Sequence, residues 1–249
     1  MTKKDFQFPS EEVKLPSKGL LYPKDSPLSK GIIEMKYMTA REEDILTNQN
    51  LIKNGTVIDK LLQSLILTDF NYNDLLLGDK NAVLIAARIL GYGSDYNFNY
   101  KGEDFEIDLS TLKDKVIDES LVKDNKNEFT FSLPIAKKEI TFKLLTHGDE
   151  KKIQQELKGL KKLNKNSSND LTTRLKHTII AIDGNTNIKD IRNFIDNDFL
   201  ARDARELRKY IRKIQPDVDL TFEIEDMRGN PMKIDIPVGI KFFWPDASI

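Results

Sequence analysis

The sequence predicts an α+β fold: a helical core with several short antiparallel β-hairpins and an extended N-terminal arm. Three observations predict it. Apolar residues recur at helical spacing in long stretches, as at Val57, Ile58, Leu61, Leu62, Leu65 and Ile66. Elsewhere they alternate with polar residues over short runs, as at Tyr96, Phe98 and Tyr100, then Phe105, Ile107 and Leu109. The two kinds of segment fall in separate runs instead of alternating one for one, which is the α+β order. A length of 249 residues suits one elaborate domain or two small ones, either able to bury a core.

Taken in order, residues 1–30 form a proline-rich region with Pro9, Pro16, Pro23 and Pro27 and only scattered apolar side chains. Proline fixes φ and removes a backbone donor, so this region reads as an extended arm with turns. A strand plus helical core domain follows over 31–95. Ile32–Tyr37 reads as a strand, and Thr39-Ala40-Arg41-Glu42 has the spacing of a capping box that starts a short helix through Leu46. Gly55 is placed to end the next turn in a left-handed conformation. A helix then runs from Thr56 to Leu67, and a largely apolar one from Asp79 to Leu90 ends at Gly91 and Gly93.

A β-hairpin insertion spans 96–146. Lys101-Gly102 turns the first hairpin, Tyr96–Leu109; a second pair joins Glu128–Leu133 to Glu139–Leu145. A helical region spans 147–219. It holds a lysine-rich helix starting near Thr146–Asp149 and reaching Leu163, a flexible break at Lys165–Asn169, and helices over Leu171–Ile182, Ile188–Phe194 and Phe199–Ile214. The last region, 220–249, is a hairpin of Leu220–Ile224 and Met232–Ile236 turning at Met227–Asn230, then the aromatic tail Phe242-Phe243-Trp244-Pro245. A helical section followed by a small hairpin thus occurs twice, at Tyr96–Leu109 and Leu220–Ile236.

Composition excludes several classes. There is no cysteine, so disulfide scaffolds, thiolate metal sites and cysteine nucleophiles are out. The apolar runs are far too short to span a bilayer, and the start lacks the apolar stretch of a secretion signal. Lys+Arg number 39 and Asp+Glu 40, for a net charge of -1, but the balance is uneven along the chain. Glu103–Glu128 holds nine acids and four lysines, Lys137–Lys165 nine lysines and four acids, and Phe199–Ile214 six bases and two acids. The acidic stretch could neutralise a basic one within the fold or between subunits.

Chemical motifs are weak. Gly91-Tyr92-Gly93 lacks the third glycine of a dinucleotide loop and follows a helix. Asp183-Gly184-Asn185-Thr186-Asn187 begins like a calcium loop, but Ile188 stands at the sixth position and Phe194 at the twelfth, so it reads as a polar turn. His147 and His177 make a poor zinc site without cysteine and read as structural; no G-x-S-x-G elbow supports a serine triad. No catalytic, cofactor or metal residue is assigned. In the helix at Phe199–Ile214, Leu200, Ala204, Leu207, Ile211 and Ile214 form a seam, with Arg202, Arg205, Arg208, Lys209 and Arg212 mostly off it. The bases have no interleaved aromatic stacking pattern, so a protein partner is favoured over nucleic acid.

Several segments together resemble one family. Leu15-Pro16-Ser17-Lys18-Gly19-Leu20-Leu21-Tyr22-Pro23, Thr39–Leu46, Gly78–Ala82 running on to Arg88–Gly93, Leu207–Tyr210 and Phe242–Asp246 are similar, in that order, to tail baseplate proteins of T-even-type contractile-tailed phages. The resemblance implies a non-enzymatic baseplate hub subunit or hub-assembly factor, made in the infected host's cytoplasm and acting on other hub and tail proteins. It implies no cofactor, no nucleic acid and no membrane, and leaves homo-oligomerisation open. It also implies that the hairpins at Tyr96–Leu109 and Leu220–Ile236 descend, without metal, from cysteine-bearing zinc ribbons. The expected partner-binding residues are Leu15, Pro16, Lys18 and Tyr22 in the arm, Arg202, Arg205, Arg208 and Arg212 on the basic helix, and Phe242, Phe243 and Trp244 in the tail. The arm is expected to become fixed only on binding, so that deleting Met1–Pro16 leaves the fold intact. The competing classes are a hydrolase or other enzyme using Asp, Glu and His, favoured by a cleft that gathers a histidine with acids, and a nucleic-acid adaptor.

Overall fold

The computed structural model describes residues 9–163, 169–225 and 231–243. The expected break after Lys165 (apart from Asn169), the turn at 227–230 and Trp244 lie outside them.

The first strand, β1 (Ser10–Lys14), pairs antiparallel with β2 (Ile32–Lys36), so the arm is part of a sheet. Between them the chain doubles back on itself. Gly19 has φ +76° and lies so close to the returning strand that a Cβ there would sit 2.3 Å from the Ser29 carbonyl oxygen. Leu15, Leu21, Tyr22 and Leu28 are buried. Each buried leucine contributes roughly 1.5–3 kcal/mol. The expectation of a loose arm is therefore corrected for residues 9–30, where Leu15, Leu21, Tyr22 and Leu28 anchor the chain in the core.

Helix α1 (Ala40–Thr47) starts as the capping box predicts on the carboxylate side. Glu42 accepts from the Thr39 N–H at 3.0 Å and from its hydroxyl at 2.6 Å. The short α2 (Gln49–Asn54) ends at Gly55, φ +69°, in the expected left-handed conformation. Helix α3 (Val57–Leu65) stops two residues earlier than its apolar pattern suggests. Ile66 turns extended to bridge Met35, and the Leu67 N–H bonds to the Glu34 carbonyl. Helix α4 (Leu77–Tyr92) is the central one, with Val83, Leu84, Ile85 and Ala87 buried. A Cβ on Gly78 would meet the Pro216 carbonyl oxygen at 1.8 Å, so only glycine lets the chain cross there.

The first hairpin, β3 (Asp95–Tyr100) and β4 (Glu103–Asp108), turns at Lys101-Gly102, both with positive φ, as predicted. A two-residue strand, β5 (Asp114–Lys115), pairs far along the chain with β9 (Asp217–Val218). Strands β6 (Phe129–Ser132) and β7 (Glu139–Phe142) pair as expected, and β8 (Ile179–Ile182) joins on the other edge of β7. The sequence reading put 179–182 inside a helix from Leu171. A short apolar run fits either state, and here pairing with β7 decides. Helix α5 (His147–Leu163) precedes α6 (Asp170–Thr178), and α7 (Ile188–Asn197) and α8 (Ala201–Ile214) follow β8.

The last sheet pairs β10 (Thr221–Glu225) with β11 (Pro231–Asp235). The two hairpins noted in the sequence pack together: Phe222 meets Phe98 and Phe105 edge-on. The described part of the tail, up to Phe243, is not extended. Residues Ile240–Phe243 form a 3₁₀ turn that buries both Phe242 and Phe243. Arg88, itself buried, donates to the carbonyls of Phe242 (2.9 Å), Gly93 (2.7 Å) and Asp95 (3.0 Å), joining α4, β3 and the tail. One apolar core runs from Leu15 to Phe243. Among the described residues no helix is long and apolar enough to cross a membrane.

Candidate functional site

Two surfaces stand out, a cleft beside His147 and the outer face of α8. The cleft has a volume of about 1000 Å³ between α3, the segment Phe70–Asn73 and the start of α5. Four elements bring its floor together. Asp59 comes from α3, Tyr72 from the following loop, Lys80 from the first turns of α4, and His147 from the first position of α5. The Asp59 carboxylate accepts from Lys80 Nζ at 2.5 Å and from the Tyr72 hydroxyl at 3.3 Å. The Lys80 ammonium also lies 3.3 Å from His147 Nδ1. An ammonium can only donate, so Nδ1 accepts and Nε2 carries the proton, 3.8 Å from the second Asp59 oxygen. Burial and the Lys80 charge push the His147 pKa down, which keeps the ring neutral. Burial and the Asp59 charge raise the Tyr72 hydroxyl.

Nδ1 of His147 is thus engaged inside the protein, while Nε2 lies beyond hydrogen-bond reach of Asp59. Burial alone would raise Glu150, at the edge of the cleft, but Arg174 bonds it at 2.6 and 3.0 Å and holds it below the usual range. His177 lies elsewhere, 3.0 Å from Glu156, which also takes Arg192, and ties α5 to α6 and α7. Among the described residues no group of three or more His, Asp or Glu is placed to hold a metal. The polar turn read at 183–187 joins β8 to α7, with Asp183 and Gly184 at positive φ and the Asn187 side chain capping the helix.

The outer face of α8 is built differently. Ala204, Leu207 and Ile214 are buried, and Tyr210 stacks on Phe131 and meets Phe142 edge-on, which fixes the helix against the β6–β7 sheet. Asp203 is fully buried beneath it and accepts the Ile135 and Ala136 N–H groups at 2.8 and 2.9 Å, capping the loop that joins β6 to β7. With that seam inward, the outward stripe is Arg202, Arg205, Lys209 and Arg212, all exposed, flanked by exposed Arg208 and Lys213. Lys209 pairs with Glu206 at 2.8 Å, and Arg208 Nε donates to the Ala204 carbonyl at 3.2 Å. Arg202, Arg205 and Arg212 make no side-chain ion pair among the described residues.

The expected partner-binding residues therefore divide. Leu15, Pro16, Tyr22, Phe242 and Phe243 are buried in this chain's own core and present nothing to a partner, a correction to the sequence reading. The reason is burial of apolar area: the scattered anchors of the arm and the turned tail both find the core. Lys18 is exposed and pairs with Glu119 at 2.8 Å. Trp244 lies outside the described residues. Arg202, Arg205, Arg208 and Arg212 are exposed as expected.

Two groups of residues escaped the sequence reading. The Asp59–Tyr72–Lys80–His147 cluster left no local signal, since its members come from four separate elements. Asp203 left one: an acid in the first turn of a helix, on the side of the apolar seam. Comparison with known proteins finds no matching family model, no matching curated protein and no matching solved structure.

Proposed function

We propose that this chain is a non-enzymatic assembly protein of a contractile-tail baseplate hub that works through protein–protein contacts. The observation that carries this reading is the stripe of Arg202, Arg205, Lys209 and Arg212, held outward by the buried seam of α8; among the described residues Arg202, Arg205 and Arg212 make no direct ion pair, and the one acid among them, Glu206, pairs with Lys209 and feels the charges of Arg202 and Arg205. Guanidinium groups held on a stiff helix make charge-assisted, bidentate contacts to carboxylates, and arginine is enriched at interfaces. The family resemblance of the sequence supplies the context of the tail.

The enzyme reading has one observation in its favour, the cleft that gathers His147 with Asp59 and Glu150. It weakens on the chemistry of that cluster. A general base needs a free nitrogen lone pair facing the cleft, and the only lone pair of His147 is taken by Lys80.

The test is a pull-down from phage-infected cells with the tagged full chain, read by mass spectrometry, alongside the triple variant Arg202→Glu/Arg205→Glu/Arg212→Glu. The proposal expects tail proteins on the native chain and their loss from the variant. Equal capture by both, or turnover of a small molecule by the native chain without tail partners, overturns it.

A further inference from the structure

Resting on the reading of the α8 stripe as a docking surface, we infer that its occupant is the outward face of the β3–β4 hairpin on a second copy of this chain. That face is unusual. Strand register sets Asp95 opposite Asp108, Asn97 opposite Glu106 and Asn99 opposite Asp104, and all six side chains are exposed. The other face of the ribbon, with Tyr96, Phe98 and Ile107, is buried in the core. Four carboxylates therefore share one open surface, two of them directly across from each other. Like charges in that position destabilise a sheet.

Within the described residues, none of the four is neutralised by an ion pair. Asp104 accepts from the Asn99 amide at 2.8 Å and Asp108 from the Ser110 hydroxyl at 2.7 Å, both neutral donors. Lys101 sits at the turn, 5.1 Å from the centre of the Tyr100 ring. Among the described residues β3 and β4 pair only with each other.

The two surfaces match in sign and in length. Asp104, Glu106 and Asp108 project at two-residue steps and span roughly 14 Å of strand. Arg202, Arg205, Lys209 and Arg212 follow steps of three, four and three residues and span roughly 15 Å of helix. No ion pair joins the two within one chain among the described residues, and the whole chain carries a net charge of only -1. The ribbon face carries four exposed carboxylates and the α8 stripe four exposed cations, so the two patches complement each other in sign and number. The two patches differ, so the contact is heterologous. Successive additions close into a ring or extend as a filament, according to the rotation between copies.

The experiment is sedimentation velocity on the full-length protein over a concentration series, at low ionic strength and at roughly 0.5 M salt, where surface pairs are strongly screened. The inference expects association that weakens about tenfold or more in salt. The variants Arg205→Glu/Arg212→Glu and Asp104→Lys/Glu106→Lys change exposed side chains only. Each alone should remain monomeric with an unchanged melting profile, and mixing the two should restore association, since each keeps the surface the other lacks. A native chain that stays monomeric at low salt overturns the inference, as does a mixture of folded variants that fails to associate. A monomeric native chain that still retains tail proteins through α8 assigns the stripe to another partner and leaves the docking reading standing; loss of both removes both.

Discussion

Replacing Tyr22 with phenylalanine tests whether the N-terminal segment is latched to the core or merely lies on it. The Tyr22 hydroxyl donates to Asp79 Oδ2 at 2.6 Å and accepts the Leu76 N–H at 3.0 Å. The same carboxylate takes the Ser17 N–H at 2.9 Å and the Ser17 hydroxyl at 2.6 Å, and Asp79 is fully buried. Tyr22→Phe keeps the ring and its packing but removes one donor to a buried carboxylate and orphans one amide. A hydrogen bond to a charged group contributes about 1.5–3 kcal/mol, so the variant should lose about 2 kcal/mol. For a chain of this size that corresponds to a fall in Tm of roughly 4–8 °C. Urea unfolding with a fixed slope gives the difference directly. A double-mutant cycle with Ser17→Ala should show coupling, because both residues serve one acceptor. A loss below about 0.5 kcal/mol, or strict additivity with Ser17→Ala, would refute the latch.

Three further outcomes follow from the same structure. Removing residues 1–16 takes away β1 and the buried Leu15 and Pro16; stability should fall by at least ~3 kcal/mol, seen as a much lower or lost cooperative melt. Arg88→Lys gathers its donors on one nitrogen, which cannot reach the three carbonyls that Nε, Nη1 and Nη2 serve separately, and should cost about 2 kcal/mol or more, with near-ultraviolet circular dichroism reporting loosened packing around Tyr96 and Phe242. His147 titrates below its ordinary value of 6.5 in the folded chain, so the unfolded chain binds the extra proton first. Its contribution is whole above that value and is lost as pH falls through it, and His147→Gln should flatten the dependence of stability on pH in that window.

Much of the fold was legible because most elements carry their own periodicity. The apolar stripe of α3, the near-continuous run of α4 and the Lys101-Gly102 turn each act within a dozen residues. Strand β8 was not legible, since Ile179–Ile182 has a β-branched composition but no polar alternation, and only β7 tells it from a helix end. The latch was hidden for another reason. Asp79 sits where an acid commonly favours a helix start, so its burial against Tyr22 leaves no trace in sequence. The arginine stripe was readable because one helix holds all of it. The acidic face of the β3–β4 ribbon was read only as an acidic stretch from Glu103 onward; Asp95 lies just before the hairpin as read, and strand register in the structure sets it against Asp108.

Among the described residues the strands are spread over five separate sheets, four of them only two strands wide. An isolated two-stranded ribbon is marginal in water. The β1–β2 and β5–β9 ribbons lean on α4 and β10–β11 leans on β3–β4, so an excised ribbon loses the packing that holds it. Truncated baits and synthetic peptides will understate what the intact molecule can grip, and interaction maps should be drawn with point substitutions in the whole polypeptide.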